Sequence, residues 1–200
     1  MHKRRLLGAT IVGAVAGTIP GSAALAAQAS SKLAPGPTLL TVSGAIGAGN
    51  RGAFDPALDQ LMAKQKLAFT KAQTFDFAAL TALPAITITP TIEYDGKAHA
   101  LSGPLLTDVM TASGVVATAK TAFFVRAIDG YAAQIPAAEA ARRRFIVATH
   151  LDGKPMALGG LGPLWTIYDA DRFADAAAKP IADRFASCPW ATYHVEVKEI

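Results

Sequence analysis

Three Asp-Gly pairs, Asp95-Gly96, Asp129-Gly130 and Asp152-Gly153, cut the middle and later part of this 200-residue chain into short pieces. Both residues suit tight turns, Gly because it has no Cβ to clash at positive φ. Between the turns lie short stretches rich in β-branched and aromatic residues: 85–94 (AITITPTIEY), 121–127 (TAFFVRA), 145–151, 164–168 and 192–198 (TYHVEVK). Each predicts a strand, and Pro90 marks the first as an edge or a bulge. Helical stretches fall between them at 105–113 with Gly114 as a cap, at 136–144 and at 172–178. Upstream, 38–46 (TLLTVSGAI) predicts a first strand. Asp55-Pro56 opens a helix that carries Leu58, Leu61 and Met62 on one face and ends near Lys66. Phe75-Asp76 opens a second, which Pro84 stops. Strands and short helices alternating with turns predict a mixed α/β (α+β) domain with a mixed sheet.

The chain begins with His2-Lys3-Arg4-Arg5, continues through an apolar run to Leu25, and carries Ala24-Leu25-Ala26 at the end of that run. These are the three parts of a cleavable signal peptide, predicted over residues 1–26. Pro20-Gly21-Ser22 interrupts the run, and small residues rather than charges follow it, so a membrane anchor is the weaker reading. Residues 27–37 (AQASSKLAPGP) predict a flexible tether, and residues 38–200 one domain. The expected location is periplasmic or secreted, and the mature form is expected to be soluble rather than membrane-spanning. Arg4-Arg5 matches a twin-arginine export signal in part.

Removal of that leader changes the charge. The whole chain has 19 Lys and Arg against 15 Asp and Glu, and without Lys3, Arg4 and Arg5 the balance is 16 against 15, or +1. Nucleic-acid binding is therefore not expected. Cys188 is the one cysteine, so no internal disulfide forms. His99, His150 and His194 lack metal-ligand spacing, and no G-x-S-x-G elbow is present. Gly47-Ala48-Gly49-Asn50-Arg51-Gly52 has the G-x-G-x-x-G pattern of dinucleotide loops, but Asp55 as helix cap competes with an anion, which favours a plain turn. Arg142-Arg143-Arg144 suits a helix C-terminus by its dipole. Arg126, inside an apolar strand, needs a partner, with Asp129 or Asp152 as candidates.

From about residue 74 to 170 the order of motifs resembles the oxidoreductase molybdopterin-binding domain, the sulfite-oxidase-like fold. The resemblance is carried by Leu83-Pro84, then Ser102-Gly103-Pro104-Leu105-Leu106-Thr107-Asp108-Val109-Met110 with Gly114. Asp129-Gly130-Tyr131 and Ile135-Pro136 follow, then Asp152-Gly153-Lys154-Pro155-Met156, and last Gly159-Gly160-Leu161-Gly162-Pro163-Leu164-Trp165. The resemblance implies a single domain of that fold, with molybdopterin as its cofactor. It also implies a molybdenum-ligating cysteine between Thr87 and Ser102, where this chain has none. A hydroxyl is a poorer ligand than a thiolate for such a centre. Trp165 stands where the family's basic residue is usual.

The positions that the resemblance assigns to cofactor binding are Thr91, Ser102, Asp129, Tyr131, Gly160 and Trp165. Asp129-Gly130 also reads as an ordinary turn that lets Tyr131 pack on the core. No catalytic residue is assigned from the sequence, and no metal ligand is expected. The functional expectation is an exported binding or accessory protein without a normal molybdenum centre and without a cofactor. Its partner would be a small molecule or another protein. The alternative is a genuine molybdopterin-dependent periplasmic oxidoreductase with atypical ligation.

Overall fold

The computed structural model describes residues 35–200, so the expected signal peptide and the tether up to residue 34 lie outside the described residues. In chain order the elements are β1 (Leu40–Gly44), α1 (Gln60–Lys64), β2 (Ala72–Phe75), α2 (Phe77–Thr81), β3 (Ala85–Ile88), β4 (Leu101–Pro104), α3 (Leu106–Ala112) and β5 (Thr121–Ala127). They continue with β6 (Ala132–Pro136), α4 (Ala137–Arg143), β7 (Ile146–Ala148), β8 (His150–Leu151), β9 (Lys154–Pro155), β10 (Trp165–Ile167), α5 (Ala174–Ala177) and β11 (Thr192–Glu199). This is a mixed α+β domain, and residues Ala34–Ile200 form one compact unit. No helix among the described residues is long and apolar enough to cross a membrane.

The strands form three sheets, in the orders β2-β1-β11-β5-β6, β10-β7 and β3-β4-β8-β9. The last strand, β11, sits in the middle of the largest sheet, parallel to β1 and antiparallel to β5. Alternation sends Leu40 and Val42 of β1, Phe123 and Val125 of β5, and Val195 and Val197 of β11 into one core. The two smaller sheets and α3 add Leu101, Ile146, Val147, Trp165, Ile167, Leu106 and Val109 to it. A register shift between Thr192 and His194 places Tyr193 in a second, smaller cluster with Met62 and Leu67.

Local chemistry sets the helix ends. Asp76 is extended and its carboxylate accepts the Ala79 N–H at 2.7 Å, which starts α2. The same carboxylate accepts the Gly36 N–H at 2.8 Å. Gly114 follows α3 at φ +72°, and Arg144 closes α4 at φ +54°. The run beginning at Asp55 is less helical than expected. Asp55 caps only a turn, through Ala57 N–H at 2.8 Å, and α1 begins five residues later. Leu58 is 81% exposed, so it does not share a buried face with Met62. The β6 strand, the β2 strand and the β4 strand were not separately expected from the sequence; their residues (AAQIP, AQTF, LSGP) are too short to show periodicity.

Three side-chain expectations resolve in this frame. Arg126 pairs with Glu196 of β11 at 3.3 Å, not with Asp129 or Asp152, because Glu196 lies on the same face of the adjacent strand. Arg142 and Arg143 both engage Glu139 of the preceding turn, and Arg143 also pairs with Asp175. The glycine loop is a plain turn. Its Asn50 and Arg51 N–H groups both donate to the Ala72 carbonyl at 3.0 Å, so neither is free for a pyrophosphate.

Gly103 explains one motif position physically. A Cβ there would overlap the Val147 carbonyl oxygen of β7, so only glycine lets the two sheets approach. Gly103→Ala is expected to lower stability by about 1–3 kcal/mol. Gly52, which has open space where a Cβ would stand, is the control. Equal urea midpoints for the two alanine variants would contradict this packing role.

His194 is buried, with Nε2 2.9 Å from the Ser43 hydroxyl. Burial, with Arg126 next in effect, lowers its pKa to about 4. An unfolded imidazole titrates near 6.5. Between those values the unfolded chain binds a proton that the folded chain does not. Stability from this residue is complete above 6.5 and falls, by on the order of 3 kcal/mol, as pH drops to about 4. Urea midpoints of His194→Asn are expected to fall less across that window than those of the wild type.

Candidate functional site

A cavity of about 250 Å³ opens where three segments meet. The 91–98 hairpin contributes Glu93 and Tyr94. The β5–β6 turn contributes Asp129 and Tyr131. The stretch before β11 contributes Phe185, Cys188 and Trp190. Trp165 lies beneath them, fully buried, with its ring 6.3 Å from both Tyr94 and Phe185.

Each wall is held by backbone chemistry. The hairpin closes through a bridge between Thr91 and Ala98 and through Ile92 N–H on the Lys97 carbonyl at 3.0 Å. Gly96 takes φ +66° at its tip, a conformation that the Asp-Gly sequence supplies. Asp171 accepts the Thr91 N–H at 2.7 Å and anchors the hairpin's base. His99 anchors its end. Nδ1 lies 2.7 Å from Asp152 and Nε2 lies 3.0 Å from Asp95. In the second wall, Asp129 accepts the Tyr131 N–H at 2.8 Å, and the Tyr131 hydroxyl donates to the Ala186 carbonyl of the third wall. That third wall is tied to the core by the Trp165 indole N–H, which donates to the Cys188 carbonyl at 2.9 Å.

The wall is acidic and aromatic. Glu93 and Asp129 line it, and neither has a cationic partner among the described residues. Among the described residues no Lys or Arg lines it. Burial pushes the Tyr94 phenol up to about 12, and the Glu93 carboxylate beside it adds to the shift. Burial likewise pushes the Cys188 thiol up to about 12, so it is protonated and unreactive at neutral pH. A pterin cofactor carries a phosphate, which calls for Arg, Lys or helix N-termini. Two carboxylates in their place do not fit that group. Four arginines converge elsewhere, in a groove formed by Ile86, Arg142, Arg143, Arg144, Arg172 and Phe173.

Of the six positions singled out in the sequence, the structure brings together two. Asp129 and Tyr131 line the cavity, and Tyr131 is 49% exposed at its mouth rather than packed on the core. Thr91 sits in the same hairpin but does not line the cavity. Ser102 pairs with Thr87 and His150 inside a sheet. Gly160 lines a separate depression with Leu151, Lys154 and Met156. Trp165 supports the cavity from below without lining it. Sequence reasoning missed Glu93, Tyr94 and Trp190. The available signals were an acid–aromatic pair ahead of a turn and a Trp after Cys-Pro.

The His99 clamp is titratable. Hydrogen bonding to Asp152 first, and to Asp95 next, raises the His99 pKa above 6.5. The same bonds hold both carboxylates below 3.8. The imidazolium contribution is therefore complete below pH 6.5 and is lost as pH rises through the raised folded value. The carboxylate contribution is present above pH 3.8 and is lost as pH falls through the lowered values. The stability gap between wild type and His99→Gln is expected to be widest between those limits. It should shrink at alkaline pH and at high salt, since the cluster is at the surface. Thermal midpoints across a pH series at two salt concentrations measure it, and a gap independent of pH would contradict the clamp. Comparison of the sequence with protein-family models and with curated proteins finds no match.

Proposed function

We propose that this chain is an exported binding or accessory protein built on the sulfite-oxidase-like, molybdopterin-binding fold, without a normal molybdenum centre. The observation that carries the reading is the composition of the cavity wall. Asp129 and Tyr131 of the D-G-Y motif meet there the segment in which the family's thiolate is expected, and that segment offers Glu93 and Tyr94 instead. The close approach at Gly103 gives the motif's glycine a packing reason of the kind a shared fold requires. Export rests on the leader sequence alone. The working ligand is a small molecule or a partner protein that reaches the cavity mouth.

A second reading, a molybdopterin-dependent oxidoreductase with atypical ligation, has one observation in its favour. Cys188, distant in sequence from the expected thiolate position, lines the same cavity as Tyr131. Against it stand the burial of that thiol and its upward shift, since a metal ligand must be the thiolate. Protein exported by a molybdenum-replete host is expected to contain no stoichiometric molybdenum by elemental analysis. One molybdenum per chain, lost in Cys188→Ala, would overturn the accessory reading in favour of the second.

A further inference from the structure

The chain has nine Phe, four Tyr and two Trp. Only Tyr94, Tyr131 and Trp190 among them are exposed, at 53%, 49% and 37%. All three line the same cavity. A fold that buries or half-buries every other aromatic has left these faces open at one place. Open aromatic faces lose burial energy unless something covers them.

The groups between those faces decide what that something is. The face of an aromatic ring is the negative end of its quadrupole and attracts a cation. Glu93 and Asp129 add full negative charge, and no Lys or Arg of the wall neutralises them. Among the described residues Glu93 makes no ion pair, and one Asp129 oxygen accepts the Tyr131 N–H while the other has no hydrogen-bond partner. The Tyr94 phenol remains neutral through the physiological range. Tyr131 is fixed at both ends, by its N–H on Asp129 and its hydroxyl on Ala186, so its ring is presented without further ordering. An anion meets repulsion here. A small inorganic cation gains little from the rings, because its hydration shell is tightly held. A weakly hydrated organic cation gains from both the rings and the carboxylates.

We propose that this cavity binds the quaternary ammonium or alkylated amine group of a small molecule, caged by Tyr94, Tyr131 and Trp190 and paired with Glu93 and Asp129. The inference rests on the reading of the chain as an accessory binding protein whose ligand site is this cavity. About 250 Å³ accommodates such a headgroup while leaving the rest of the ligand at the mouth.

The test is titration of the purified full-length mature protein with choline, followed by calorimetry and by tryptophan fluorescence. The neutral isostere 3,3-dimethyl-1-butanol, calcium and inorganic phosphate serve as comparison probes. Choline is expected to bind at least about tenfold more tightly than the isostere, with no binding of phosphate. Glu93→Gln and Tyr94→Leu are each expected to weaken choline about three- to tenfold while circular dichroism and the thermal midpoint stay unchanged. Equal affinity for choline and the isostere would overturn the inference yet leave a ligand site, so the accessory reading would stand. No binding of choline, or calcium displacing it at lower concentration, would likewise overturn the inference alone. Release of a pterin from the exported protein on denaturation would overturn both.

Discussion

The insertion of β11 between β1 and β5 is the pairing on which the rest of the molecule depends. Until the last eight residues of regular structure arrive, β1 and β5 each lack a neighbour, and Val42 and Val125 have no Val195 to pack beside. The pairing joins Thr41 to His194 across almost the whole domain. Contacts of such separation are entropically expensive to form and make folding slower than local pairing would. They also fix what precedes them. Thr192 Oγ1 donates to the Pro189 carbonyl at 2.6 Å and contacts Thr166 of β10, so the register of β11 sets the position of Cys188 and Trp190. One wall of the cavity is thus a direct consequence of how the sheet closes.

The two histidines that respond to acid act in opposite directions for one reason, their access to counter-charge. Among the described residues His194 has a hydroxyl partner at Nε2 and no partner at Nδ1, and the charge that acts on it most is Arg126 across the strand pair. Its environment rejects the proton. His99 faces a carboxylate at each ring nitrogen and keeps the proton. The buried residue has the larger effect per group, because solvent screens the exposed clamp. Acid therefore weakens the sheet before it releases the hairpin that carries Glu93 and Tyr94.

Much of this fold could be read along the chain because local chemistry and tertiary structure agree. Residues 121–127 form β5 with the bounds that their composition indicates, and Asp76, Gly114 and the three Asp-Gly turns sit where their backbone preferences put them. Agreement fails where an element is shorter than its period. Four residues of β2 or β4 cannot display alternation, and Asp55 signals a cap without enough apolar periodicity behind it to extend a helix. The cavity was legible only in part for a different reason. Asp129 and Tyr131 stand out because they belong to a turn motif. Glu93 and Trp190 gain meaning only from being brought together over nearly a hundred residues, and no local pattern records that.

Trp165 connects the core to the wall of the cavity. It turns into the core, donates its N–H to the Cys188 carbonyl, and lies under both Tyr94 and Phe185. That hydrogen bond makes the indole a rigid support for the wall segment that bears Trp190. Glu93, which has no cationic partner among the described residues, lines the same cavity. The buried tryptophan thus holds in place a wall whose charge is acidic and whose faces are aromatic.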